Sequence, residues 1–170
     1  MPNLPKLIAY TEPVPSAKKL MAVQWVMTRS TDPMDDSETI SASLDASKGL
    51  QSGKPIRLLL QFHMQTREIN AYINWHGFLW PNKIPRIITY RFPPETAQTE
   101  AWIVSRDFRD DDGDMEHGIT AVREPTLFVD KVFKSEQLIV RLTQENQAPI
   151  TAVFALPNPP SQLTKIIADG

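Results

Sequence analysis

Apolar and polar residues alternate along most of the chain from residue 20 onward. The clearest run has apolar residues at alternate positions, namely Leu58, Leu60, Phe62 and Met64. A second run follows a short polar link at 65–68, with apolar residues at Ile69, Ala71, Ile73 and Trp75. A period of two places successive side chains on opposite faces of a strand, so these two runs predict a β-hairpin.

Similar short runs recur at 21–27, 40–44, 87–92, 101–105, 119–122, 138–142 and 150–156. Two segments have helical spacing instead: 126–136, where Pro125 stands at the first helical position, and 161–168, where Ser161 is a candidate cap. Many short strands separated by turns predict a mainly β fold, either an antiparallel sandwich or a strongly bent antiparallel sheet. One packed helix and a short C-terminal helix complete this prediction, and an α+β arrangement is the second choice.

Five large residues occupy the apolar phase of their predicted segments. They are Trp25, Phe62, Ile73, Trp102 and Phe154. Since all side chains in one phase of a strand point to one face, we expect these five residues to meet in a single core.

The first 19 residues form a separate region, predicted to be a proline-rich arm in front of one β-rich domain at 20–170. Proline removes an amide donor, so the arm can lie along a surface but cannot supply a full strand ladder. The apolar side chains predicted to anchor it to a protein partner are Leu4, Leu7, Ile8 and Tyr10. Near the start of the chain the only candidate for the apolar region of a signal peptide is 7–10, which is too short. A cytoplasmic or virion location is therefore expected.

Composition narrows the function classes. The chain has 170 residues, of which 41% are hydrophobic and 22% are charged, as in ordinary soluble globular proteins. A net charge of −2 gives no general attraction to nucleic acid, and no apolar run is long enough to span a membrane. The absence of cysteine excludes disulfides, thiolate metal sites and cysteine nucleophiles.

Two acidic segments could carry chemistry. The segment at 107–116 contains six carboxylates, but Met115 and Ala121 stand where a calcium-binding EF-hand loop needs glycine and glutamate. We therefore interpret it as a solvated hairpin tip. Asp35 and Asp36 could form an acid–base pair or a metal clip, but the segment 32–37 is more typical of a turn, and we favour the turn. The three histidines share no metal-binding spacing, so no metal, cofactor or catalytic residue is predicted.

Aromatic residues cluster between the second strand of the hairpin and the next strand. Trp75, Phe78 and Trp80 lie within six residues of one another. Exposed tryptophans in such a loop could hold a sugar ring or a partner protein. The alternative interpretation, which we favour, places Trp75 in the core and Trp80 at the end of the sandwich.

The order of several residues resembles the type VI secretion-associated VasI/TagO family. The matching positions include Trp25, the run Asp35-Asp36-Ser37, Arg91 and Trp102. The resemblance covers about residues 25–168 and implies an accessory, non-catalytic module. Members of that family typically carry an export signal and a cysteine pair. The sequence contains no cysteine, and its first residues are not expected to act as an export signal.

Together these observations predict a non-enzymatic structural or interaction subunit of a larger assembly. A phage or prophage virion component is the leading hypothesis, in the tail, neck, baseplate or head decoration. Its partners would be proteins, in a homo- or hetero-oligomer assembled through the arm. A type VI secretion accessory protein is the alternative, and a carbohydrate-binding or hydrolytic β-sandwich protein is the second alternative.

Overall fold

A computed structural model describes residues 24–51, 53–77, 84–105 and 118–169. Strands make up 53% of these residues, which confirms the mainly β prediction. The strands are β1 (Val26–Thr31), β2 (Glu38–Gln51), β3 (Lys54–His63), β4 (Glu68–Asn74), β5 (Arg86–Arg91), β6 (Gln98–Ser105), β7 (Ile119–Ala121), β8 (Gln137–Thr143) and β9 (Ile150–Ala155). The helices of the described residues are α1 (Pro125–Lys134) and α2 (Ser161–Ala168), and neither is long and apolar enough to cross a membrane.

Eight strands close into an antiparallel barrel in the order β2-β3-β4-β7-β6-β5-β8-β9, and β1 adds to β2 as a ninth strand. The predicted sandwich is therefore wrong. Sandwiches and small barrels share the same alternating strands, so the alternation could not distinguish them. Closure depends on pairings that no single segment reveals: β7 pairs with both β4 and β6, and β2 reaches β9.

Strand β2 makes that last pairing by changing direction. Its register against β3 shifts between Asp45 and Leu50, and Lys48 then pairs with Val153 of β9. Gly49 in this bulge has φ +114°, and a Cβ built on it would lie 2.8 Å from the main-chain oxygen of Thr151. Only glycine permits both this backbone angle and this close approach of two strands.

The predicted core lies inside the barrel. Phe62, Ile73, Trp102 and Phe154 are fully buried in one apolar cluster, as the alternation predicts. Trp25 is partly buried and packs against the same cluster, and its Nε1 donates to the main-chain oxygen of Pro157 over 3.3 Å.

Both predicted helices are present. Helix α1 begins with Pro125 at its first turn and buries Phe128 and Val132, but it ends at Lys134 because the backbone of Ser135 is extended. Helix α2 has the predicted bounds and buries Leu163. The capping role predicted for Ser161 is wrong, since Pro160 occupies the cap position and no side chain caps the helix.

Candidate functional site

The motif Asp35-Asp36-Ser37 forms the turn between β1 and β2. Asp35 Oδ1 accepts a hydrogen bond from the main-chain nitrogen of Ser37 over 2.9 Å, and Asp32 Oδ1 accepts one from Met34 over 2.8 Å. Asp36 has φ +58°, in the left-handed region that Asn and Asp tolerate better than most residues. These are the contacts of a turn-building motif.

The electrostatics of Asp35 agree with that structural role. The hydroxyl of Ser37 and then its main-chain N–H lower the pKa of Asp35 below the ordinary value of 3.8. A general acid needs a carboxyl whose pKa is raised toward the working pH. Asp35 is shifted in the opposite direction, so its carboxylate is suited to holding the turn.

A glutamine from the neighbouring hairpin fastens this turn to the barrel. Gln65 Oε1 accepts a hydrogen bond from the main-chain nitrogen of Glu38 over 2.9 Å, and Gln65 Nε2 donates to the main-chain oxygen of Asp36 over 3.3 Å. The β1–β2 and β3–β4 turns therefore lie side by side at one end of the barrel.

Two further motif positions of the resemblance, Arg91 and Trp102, lie on the paired strands β5 and β6. Trp102 is fully buried, and its Nε1 donates to Glu100 Oε2 over 2.9 Å. The Tyr90 hydroxyl donates to Glu100 Oε1 over 3.2 Å, and burial, then the Glu100 charge, raises the pKa of Tyr90. Arg91 ends β5 with an exposed side chain. Glu100 is thus the common acceptor for two core aromatics, a role that the alternation of its segment does not indicate.

The aromatic loop is described only in part. Trp75 is fully buried, and its Nε1 donates to the Thr120 hydroxyl over 3.0 Å inside the barrel. This burial agrees with the core interpretation of Trp75 and corrects the alternative in which Trp75 faces a partner. Phe78 and Trp80 lie outside the described residues, as do the acidic segment at 107–116 and the arm at 1–19 with Leu4, Leu7, Ile8 and Tyr10.

Three isoleucines are exposed on and beside the outer face of the barrel, at β5 and β6. Ile84 is 56% exposed, Ile87 is 47% exposed and Ile103 is 64% exposed. Ile87 stands opposite Ala101, two residues before Ile103, so Ile87 and Ile103 are diagonal neighbours about 7–8 Å apart. We call Ile84, Ile87 and Ile103 the isoleucine patch.

The isoleucine patch was not predicted from the sequence, although the sequence contains a signal for it. In β5, buried Ile88 and Tyr90 alternate with exposed Ile87 and Arg91, so Ile87 falls in the outward phase. Once the phase of the strand is known, an isoleucine at an outward position stands out. Because Ile87 and Ile88 are the same residue type, the sequence alone does not show which of the two faces outward.

A cavity of about 460 Å³ lies between the β3–β4 turn and the last turn of α2. We call it the hairpin pocket. Its apolar lining consists of Phe62, Met64, Ile69, Ile166 and Ile167. Its polar lining consists of His63, Arg67, Glu68, Thr126 and Asp169.

Two contacts fix the polar side of the hairpin pocket. His63 Nδ1 lies 3.1 Å from the Thr39 hydroxyl, and Arg67 Nη1 donates to the main-chain oxygen of Asp169 over 2.6 Å. The second contact joins the β3–β4 turn to the end of α2. The pocket wall is therefore built by two elements that are far apart in sequence.

Within 24–51, 53–77, 84–105 and 118–169, no three His, Cys, Asp or Glu side chains come together as metal ligands. No protein-family model, curated protein or solved structure matches the chain. The described residues thus define a closed antiparallel barrel with one added strand, an exposed isoleucine patch and a hairpin pocket.

Proposed function

We propose that this chain is a non-enzymatic interaction subunit of a larger protein assembly. The isoleucine patch is the observation that carries this proposal. Outward positions of an antiparallel barrel strand are normally polar, as Arg57 and Gln61 of β3 are here. Clustered exposed isoleucines are instead typical of a surface that a partner covers.

The energy available from the patch fits a protein contact. Fully burying a large aliphatic side chain contributes about 1.5–3 kcal/mol. Because the three isoleucines are roughly half exposed, covering them contributes about 1 kcal/mol each. A contact of this kind supplies a centre for an interface, and residues around it would add the remainder.

The proposal assigns a second contact to residues 1–19. Their four apolar anchors and four prolines suit a segment that lies extended on a neighbouring subunit. The partners are therefore proteins, in a homo- or hetero-oligomer. This assignment rests on the sequence alone, since the segment lies outside the described residues.

Two lines of support favour an accessory module over an enzyme. Asp35, one of the paired carboxylates, holds a turn and has a lowered pKa. The VasI/TagO-like order of motifs also points to a non-catalytic component. Within this class we propose a phage or prophage virion component, with a type VI secretion accessory protein as the alternative.

Size measurements in a lysate of the native host test the proposal. The wild-type chain, detected by antibody after size-exclusion chromatography, should elute far above its monomer mass of 19.3 kDa. Ile103→Asp should shift the chain toward that mass because it places a charge in the patch. Met34→Asp is the matched control, since Met34 is 90% exposed but lies in the β1–β2 turn, and it should leave the size unchanged.

Elution of the wild-type chain at its monomer mass would overturn the proposal. Equal shifts for both variants would overturn the role of the isoleucine patch, because the effect would then come from any added charge.

A further inference from the structure

We propose that the hairpin pocket binds an uncharged amphiphile, meaning a medium-length hydrocarbon chain with a single hydrogen-bonding head group such as a hydroxyl. This site is independent of the isoleucine patch. The inference rests on the size of the pocket, its apolar lining and the signs of the charges at its rim.

The volume of the hairpin pocket fits a small molecule. Ligand sites generally measure about 300–1,000 Å³, and this cavity measures about 460 Å³. An apolar cavity of about 150 Å³ is enough to bind benzene. The hairpin pocket therefore has room for a chain of roughly eight carbons with a head group.

The apolar lining of the hairpin pocket favours a hydrocarbon chain as the ligand. Phe62 is fully buried at the pocket, while Ile69, Ile166 and Ile167 are only partly buried and line it. A hydrocarbon chain in the cavity would cover apolar surface on all three isoleucines. Removing that surface from water is the driving force for binding.

The rim selects against a charged head group. Arg67 contributes a positive charge, whereas Glu68 and Asp169 contribute negative charges beside it. A carboxylate head would be attracted by Arg67 but repelled by Glu68 and Asp169, and an ammonium head would be attracted by the two carboxylates but repelled by Arg67. Either charged head would also lose hydration, which a rim of mixed charge replaces only in part. An uncharged hydroxyl avoids both repulsions and can exchange hydrogen bonds with groups such as the Thr126 hydroxyl, which also lines the cavity.

Three probes with the same chain length separate these cases at pH 7: 1-octanol, octanoate and octylamine. Methyl NMR of the full chain would follow Ile69, Ile166 and Ile167, with Ile103 as an internal reference outside the pocket. We expect saturable shifts of the three pocket methyls with 1-octanol, at an affinity at least about tenfold higher than for either charged probe, which corresponds to about 1.4 kcal/mol.

Variants locate the site. Ile167→Trp should fill the hairpin pocket and abolish the shifts. Leu50→Trp, at a 70% exposed position of β2 outside both the pocket lining and the isoleucine patch, is the matched control that should bind normally. If Ile167→Trp does not fold, Thr126→Trp places the same bulk at the pocket from an exposed position at the start of α1.

Three results would overturn the proposal. If the methyl shifts do not saturate with any of the three probes, the hairpin pocket is not a binding site for these amphiphiles. Tighter binding of octanoate or octylamine than of 1-octanol would refute the uncharged head group. Unchanged binding in the tryptophan variant that folds would place the ligand elsewhere.

Discussion

Closure of the barrel depends on one glycine, and this dependence can be measured. In Gly49→Ala, the new methyl group would lie 2.8 Å from the Thr151 carbonyl oxygen and 3.0 Å from the Ala152 Cα. Both atoms belong to the backbone of β9, so relief requires the two strands to separate. The same substitution also forces alanine to φ +114°, which L residues rarely adopt.

The expected loss of stability has two parts. A residue held in a sparsely populated backbone region costs about 1–3 kcal/mol. Overpacking against a fixed neighbour costs about 1–3 kcal/mol more. We therefore expect Gly49→Ala to lower the free energy of unfolding by about 2–6 kcal/mol, a large share of the roughly 5–15 kcal/mol that stabilises a typical domain.

Gly53 provides the matched control. It also has a positive φ, +77°, but a Cβ on Gly53 would meet no atom within 4 Å. Gly53→Ala should therefore show only the backbone cost, about 1–2 kcal/mol. Reversible urea unfolding of the two variants beside the wild type measures both values. Equal destabilisation by the two substitutions would refute the argument that contact between β2 and β9 requires Gly49.

Three further predictions concern the core, the turn and the arm. Phe154→Ala, which empties a fully buried position, should cost about 3–5 kcal/mol in reversible unfolding, and a loss below about 1 kcal/mol would contradict the core assignment. Ser37→Ala should raise the pKa of Asp35 toward 3.8 in a carboxyl NMR titration, because it removes the largest cause of the shift. The ionised Asp35 carboxylate stabilises the fold above pH 3.8, and this stabilisation is lost as the pH falls through the lowered pKa of the folded state. Ser37→Ala should therefore also weaken the dependence of stability on pH in that acidic range. Deleting residues 1–19 should leave the melting temperature unchanged while abolishing the high-mass form in host lysate, and unfolding of the truncated chain would assign the arm to its own core.

Elements with a local signal were predictable from the sequence. The alternation at 58–64 and 69–75 predicts the β3–β4 hairpin, and the structure pairs Leu60 with Ala71 and Phe62 with Ile69 in that register. The helical spacing after Pro125 likewise predicts α1. In each case the periodicity and the turn residues lie within about 20 positions, so local physics decides the outcome.

Closure of the sheet was not predictable in the same way. Strand β7 has three residues, and its pairing with β4 on one side and β6 on the other is a property of the whole sheet. The bulge at Gly49 gives only a weak signal, because a glycine inside a strand can equally indicate a turn. The sandwich prediction was wrong because neither the pairings of β7 nor the bulge at Gly49 could be recognised from the sequence.

The features of the candidate site also divide into those with a local sequence signal and those that depend on distant segments. The segment 32–37 was recognised as a turn because its hydrogen-bond partners are close in sequence, although the carboxylate that accepts from Ser37 is that of Asp35 and not that of Asp36. The hairpin pocket joins Phe62 to Ile167, and the isoleucine patch depends on the outward phase of β5 and β6. Such sites follow from packing between distant segments, which residue types alone do not encode.

Strand β2 explains why the arm and the barrel should behave independently. Its first half pairs with β1 along one edge, from Glu38 to Ser43, and its second half uses that edge to pair with β9 through Lys48. All eight barrel strands lie between Glu38 and Ala155, so the barrel closes without β1. Residues 1–19 precede β1, and β1 joins the barrel sheet through β2. Deleting residues 1–19 therefore removes none of the described pairings that close the barrel. If the truncated chain keeps its melting temperature and loses assembly, the lost contacts lie outside the barrel.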